Sequence, residues 1–139
     1  MDYETVNAND FGASLRGLGL NVLVRDVRAT AGFLQSVFGI GIHQLTDDFA
    51  IATYGEEVFQ LHADSTYSRH PLLHMLPENP PRGAGLEIHL YDTDPDEAVQ
   101  KAEATGATIL TAPTDKPHGL REAHILDADG YCWVPSRPL

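Results

Sequence analysis

The chain has 139 residues, long enough for one domain with a good core or for two small repeats sharing one. Its 42% hydrophobic content excludes global disorder, and no apolar run approaches the roughly 20 residues of a membrane span. The formal charge of −11, from 20 acidic and 9 basic residues, argues against nucleic acid or an anionic membrane surface as partner and is compatible with a cationic ligand.

Residues 1–16 are polar and aperiodic, and read as an N-terminal arm, either loose or docked on a partner. They offer neither a basic start nor an apolar segment for secretion, so a soluble cytoplasmic protein is expected. Leu18 to Val24 is strand-like. Asp26 then caps a helix through about Phe38, whose Ala31, Leu34, Val37 and Phe38 recur at helical spacing, and Gly39 ends it. Three short strands follow, Ile40 to Leu45, Phe49 to Tyr54 and Glu57 to Ala63, with Asp47-Asp48 and Gly55-Glu56 as turns. Residues 64–84 form a turn-rich connector, of a length that is often functional or interfacial.

Gly85 to Tyr91 alternates with period two, so Leu86, Ile88 and Leu90 pack behind the strand while Glu87, His89 and Tyr91 project to the other side. A carboxylate, an imidazole and a phenol on one strand face suit the wall of a cleft better than a core. Asp94-Pro95-Asp96-Glu97 is a strong helix start, and that helix runs to about Thr105 and stops at Gly106. Strands at Thr108 to Thr111, Arg121 to Leu126 and Tyr131 to Val134 complete the chain, with a loop from Pro113 to Gly119 and a tight turn at Asp127 to Gly130. Cys132 is the single cysteine, which excludes an internal disulfide; it reads as a packed small hydrophobe rather than a nucleophile.

Strand, Asp-started helix, Gly stop and three strands therefore occur twice. The predicted fold is α+β: two βαβββ modules forming a curved mixed sheet with a central cleft and helices outside. The expected division is one domain from residue 17 to 139, with module 1 at about 17–63 and module 2 at about 85–139. Strand parity sends Asn21, Gln60, His62, Glu87, His89, Tyr91, Glu122, His124 and Val134 to the cleft side. As polar walls of a ligand pocket, Gln60, His62, Glu87, His89, Tyr91, Glu122 and His124 are the candidate binding residues. As metal ligands, His62, His89 and His124 with Glu87 or Glu122 suit zinc, iron or manganese. Phe49, Tyr54, Tyr91, Tyr131 and Trp133 are candidate surfaces for a planar ligand, with core packing the likelier role for Trp133, Phe59 and Phe33. His43, His70, His74 and His118 read as solvent-facing.

Val24-Arg25-Asp26, Phe38-Gly39, Leu86 to Tyr91, Glu103 to Ile109, Pro117 to Glu122 and Asp127 to Gly130 together resemble the vicinal oxygen chelate superfamily of glyoxalases, extradiol dioxygenases and bleomycin-resistance proteins. Metal-holding members take one ligand from each of four strands. The matching positions here are Gly19, Gln60, Glu87 and Val134, so the resemblance implies no complete metal site and no cofactor. The bleomycin-resistance type is the nearest likeness, through Phe38-Gly39 to Asp47-Asp48-Phe49-Ala50 and Pro117 to Glu122. It implies a metal-free homodimer that sequesters a cationic or aromatic antibiotic without bond chemistry. The alternatives are a metal-dependent lyase or ring-cleavage dioxygenase with a displaced His/Glu site, and a metal-free isomerase using Glu87 and His89 as an acid–base pair.

Overall fold

The computed structural model describes residues 1–139. By its contacts the chain divides into two units, Met1–Gln35 with Gly39–His74, and Ser36–Phe38 with Met75–Leu139. The first carries a feature that composition hides. The N-terminal residues contain a helix, α1 (Ala8–Ser14), capped by the Asn7 side chain, which accepts from the Asp10 amide. Phe11, on its inner face, is buried. Gln44 holds the segment ahead of it, donating through Nε2 to the carbonyls of Tyr3 (2.9 Å) and Val6 (2.7 Å). The arm is docked on its own unit rather than loose.

Strand β1 (Asn21–Val24), helix α2 (Val27–Phe38) and strands β2 (Gly41–His43), β3 (Phe49–Tyr54) and β4 (Glu57–Ala63) follow in the expected order. The sheet runs β1-β4-β3-β2, with β1 parallel to β4 and the other pairs antiparallel. Asp26 accepts from the Ala29 amide and starts α2; Gly39, at φ 70°, ends it and donates back to Gln35. Val27, Ala31, Leu34 and Val37 are buried at helical spacing, so this stripe rather than propensity stabilises the helix. Because Gly39 sits in the left-handed region, Gly39→Ala is expected to destabilise the chain by about 1 kcal/mol, read from urea unfolding midpoints.

The chain passes through a 3₁₀ turn (Asp64–Tyr67) and one helical turn, α3 (Pro71–His74), before the plan repeats. Strand β5 (Glu87–Tyr91), helix α4 (Pro95–Ala104) and strands β6 (Thr108–Asp115), β7 (Leu120–Leu126) and β8 (Cys132–Pro138) form a second sheet in the order β5-β8-β7-β6. Its pattern of one parallel and two antiparallel pairings matches that of the first sheet. Asp94 caps α4 with Pro95 in the first turn, as the sequence predicts. Arg121 anchors the start of that helix, placing Nε and Nη2 on the Asp96 carboxylate (2.8 and 3.0 Å) and Nη1 on Asp115 (2.9 Å). This pairing holds the Asp96 carboxyl below its ordinary range.

Three expectations change. Strand β6 continues through Pro113, where a loop is expected; two register shifts, at Ile109/Thr111 and Thr111/Thr114, absorb the imino acid on an edge strand. Strand β8 extends four residues past Val134 and includes Pro135. Its ladder to β7 has no pair at 134 or 135, so no bond from the missing N–H is needed there. Leu86, expected to pack behind β5, lies outside the strand and is 51% exposed.

The tight turn at 127–130 holds a buried polar knot. Asp127 accepts through Oδ1 from the amides of Asp129 and Tyr131 (3.0 Å each) and through Oδ2 from Trp133 Nε1 (2.9 Å). Trp133 is fully buried, so it belongs to the core and offers no surface to a ligand. The connector closes on this turn: the Arg82 amide donates to the Asp129 carbonyl (2.8 Å), and the two side chains, both buried, lie 3.9 Å apart.

Candidate functional site

Register places one polar array on the second sheet. Glu87 lies across from Cys132 and Cys132 from Leu126; His89 lies across from Val134; Tyr91 lies across from Ser136 and Ser136 from Glu122. Thr111 pairs with His124 on the outer side. Since Glu87, His89 and Tyr91 alternate with Ile88 and Leu90, they share a face with Val134, Glu122 and His124. The sharing of one face that strand parity predicts is present in this sheet, Leu86 apart. Ala98, Val99 and Ala102 of α4 are buried, and Ala123 and Ile125 of β7 are buried on the alternate face.

The centre of the array is Glu87. Its Oε1 lies 3.0 Å from His89 Nε2, and its Oε2 lies 3.4 Å from His124 Nε2. The second contact spans the whole width of β8, and it forms because Cys132 and Val134 between them are small and fully packed down. A carboxylate only accepts, so both facing nitrogens carry their protons. His124 Nδ1 shares a hydrogen bond with the Thr111 hydroxyl at 2.6 Å. The hydrogen bond from His89, with the charge fields of both imidazoles, holds the Glu87 carboxyl below its ordinary range. Its side chain remains 47% exposed.

Tyr91 stacks on the His89 ring, with centroids 5.4 Å apart and planes at 24°, and is itself 55% exposed. His89 Nδ1 is buried with no hydrogen-bond partner. Glu122, by contrast, is buried: Ser136 Oγ donates to it at 3.4 Å and His118 Nε2 lies 3.8 Å away. It forms the floor of the array rather than its open side. Burial pushes the Cys132 thiol up, with the Glu87 and Asp127 carboxylates adding to the effect, which agrees with its reading as a packed residue.

Gln60 and His62 belong to the first unit, where they hydrogen-bond each other (Oε1 to Nε2, 3.0 Å). Phe49 and Tyr67 meet the His62 ring edge-on, at 5.3 and 5.5 Å, and burial lowers its pKa. The Asn21 amide reaches the Tyr67 hydroxyl at 3.4 Å. Tyr67 lies in the connector, where no sequence pattern marks it; its ring contact depends on the 3₁₀ turn that folds it back. His43, expected to face solvent, is half-buried against Thr53 Oγ1 (3.1 Å) and the Tyr3 ring (5.8 Å) because the arm covers it.

The four metal-ligand positions can be tested on this geometry. Gly19 has no side chain, Val134 is fully buried and apolar, Gln60 is spent on His62, and Glu87 directs its two oxygens at two different imidazoles. No group of three or more His, Cys, Asp or Glu side chains is placed to hold a metal ion. The residues present do not fit a divalent metal, which needs several lone pairs converging at about 2.0–2.2 Å. In the second unit His89 and His124 are each directed at Glu87 and form no metal-holding group with it.

The model of the Glyoxalase/Bleomycin resistance protein/Dioxygenase superfamily matches residues 18–134. Solved structures agree on the fold. A glyoxalase/bleomycin resistance protein/dioxygenase family enzyme from Burkholderia phytofirmans PsJN is 22% identical, with a TM-score of 0.73 over 87% of this chain and 97% of that one. TioX from Micromonospora sp. ML1 is 20% identical, with a TM-score of 0.62 over 89% and 99%. Lactoylglutathione lyase from Agrobacterium tumefaciens is also 20% identical, with a TM-score of 0.62 over 88% and 92%. No curated protein sequence matches significantly, and no helix is long and apolar enough to cross a membrane.

Proposed function

The chain belongs to the glyoxalase/bleomycin resistance protein/dioxygenase superfamily, and from that premise we propose that it binds a small cationic, aromatic molecule on the exposed face of β5 without a metal. The observation that carries this reading is the Glu87 carboxylate. It is kept ionised by its imidazole neighbours, half open to solvent, and flanked by a Tyr91 ring stacked on His89. A fixed negative charge beside an exposed aromatic face attracts an organic cation by Coulomb attraction and by cation–π contact together. The packed floor of Val134 and Cys132 supplies no ligand and no nucleophile. Sequestration by a cytoplasmic homodimer, as in antibiotic resistance, is the role this chemistry serves. In the first unit, Gln60 and His62 are further candidate contacts for a small ligand.

One observation favours a second reading. The direct Glu87–His89 hydrogen bond of 3.0 Å is also the arrangement of a general acid–base pair for proton transfer. A metal-dependent lyase or dioxygenase would instead need a donor set that these side chains do not supply.

The test is elemental analysis of protein purified without chelators or added metal, followed by calorimetric titration with a planar aromatic cation such as proflavine. Less than a tenth of an equivalent of zinc, iron, nickel or manganese is expected, with saturable proflavine binding that raises the melting temperature. Stoichiometric metal would overturn the metal-free reading, and absence of proflavine binding would overturn the cation site.

A further inference from the structure

The two register shifts of β6 bracket one residue, Thr111. Ile109 lies across from Ile125, so an unbroken ladder would set Thr111 opposite Ala123, on the buried face. The shift between Ile109 and Thr111 sets it opposite His124 instead, on the polar face. A bulge that re-aims one side chain in this way is a built feature of a sheet. The Thr111 hydroxyl stands at the surface, 2.6 Å from His124 Nδ1, a contact that regular pairing would forbid.

His124 joins this hydroxyl to a carboxylate. Its Nε2 faces Glu87 Oε2 at 3.4 Å, and Glu87 is itself held through Oε1 by His89 at 3.0 Å. In the neutral imidazole, a proton on Nε2 leaves the lone pair on Nδ1, toward Thr111. A hydroxyl, a base within hydrogen-bond reach and a carboxylate orienting that base are the parts of an activated oxygen nucleophile, whatever fold carries them. The His124 side chain is only 14% exposed, so water competes poorly for the ring, while Thr111 stays open to a reactant. All four residues lie in the second unit. Cys132, across from Glu87, does not compete, because it is buried.

We propose that Thr111 is a catalytic nucleophile for acyl transfer from activated aryl esters, with His124 as its general base and Glu87 positioning His124. Thr111 Oγ forms a bond to the acyl carbon as its proton passes to His124 Nδ1. The bond from that carbon to the aryl oxygen breaks, and His124 returns the proton to the departing oxygen. Water then attacks the acyl–Thr111 ester and gives a proton to His124 Nδ1. That proton returns to Thr111 Oγ as the carboxylic acid leaves. Aryl esters suit the site because their leaving group departs with little proton assistance. The activity shares Glu87 with the cation site but does not rest on cation binding.

The experiment treats the full chain with p-nitrophenyl acetate, a neutral ester, and follows p-nitrophenolate release together with mass spectrometry of the quenched protein. Release well above that of the urea-unfolded chain is expected, with any trapped acetyl group on the peptide carrying Thr111. Thr111→Val keeps the side-chain shape and should slow release about 100-fold, as should His124→Gln, whereas Thr111→Ser should retain it. Glu87→Gln should lower kcat about tenfold with KM nearly unchanged, as a group that only positions the base would. Wild-type release by Thr111→Val overturns the proposal, as does an acetyl group carried only by Lys101, Lys116 or the α-amino group. Release no faster than from the unfolded chain overturns it too, and that comparison needs no variant to fold. Proflavine binding without ester turnover removes only the nucleophile, and turnover without proflavine binding removes only the cation site.

Discussion

Asp127→Ala is expected to destabilise the chain by about 3–5 kcal/mol, lowering the melting temperature by on the order of 10–15 °C. The carboxylate accepts from three donors at once, the amides of Asp129 and Tyr131 and the indole of the fully buried Trp133. Truncation leaves all three without their partner in a region water reaches poorly. Asp127→Asn separates charge from geometry. An amide offers one accepting oxygen, so in either orientation its NH₂ faces a donor, and a loss of about 1–3 kcal/mol is expected. Burial raises the Asp127 carboxyl above its ordinary value even though these donors oppose the shift. A raised folded-state pKa means the folded chain holds the proton longer than the unfolded chain. Stability at this group is therefore greatest below about 3.8 and declines as pH rises through the raised value. Differential scanning calorimetry from pH 3 upward measures both effects. Wild-type stability in Asp127→Ala would show that the knot contributes nothing.

Glu87→Gln is expected to weaken proflavine binding about 10- to 100-fold while leaving the melting temperature nearly unchanged. The change preserves shape and removes the charge, and a charge-assisted contact is worth about 1.5–3 kcal/mol. No comparable stability loss follows, because the side chain is 47% exposed and its ion pairs are screened by water. The pH dependence has the opposite sign to that of Asp127. The folded-state pKa of Glu87 is lowered, chiefly by the hydrogen bond from His89, so its contribution is present above about 4.5 and is lost as pH falls through the lowered value. Cation affinity should collapse over the same descent in the wild type and show no such step in Glu87→Gln. Isothermal titration at pH 7, 5 and 3.5 reads both. Equal affinity in the variant would remove Glu87 from the binding site. Equal affinity with loss of a catalysed proton transfer would make it a general base, the second reading of the same hydrogen bond.

Much of the fold is legible because its punctuation is local. Asp26 and Asp94 satisfy orphan amides within three residues of themselves, and Gly39 and Gly106 adopt left-handed backbone that other residues resist. Those signals need only neighbours in sequence, so the βαβββ repeat could be read twice without a structure. Parity of β5 and β7 is equally local, which is why Glu87, His89, Tyr91, Glu122 and His124 were assignable to one face. The limits of β6 and β8 were not. Whether Pro113 or Pro135 ends a strand depends on which N–H the neighbouring strand requires, and that is a property of sheet order.

By itself, then, the sequence determined the two-module plan, the helix ends, the strand faces and the lack of side-chain ligands at Gly19 and Val134, because each rests on period, capping or residue identity. The tertiary structure alone decided three things. It brought His124 over β8 onto Glu87, left Glu122 as buried floor, and folded the arm over His43. These contacts join residues far apart in sequence, and no local pattern encodes which strand lies between two others or where an amphipathic arm comes to rest.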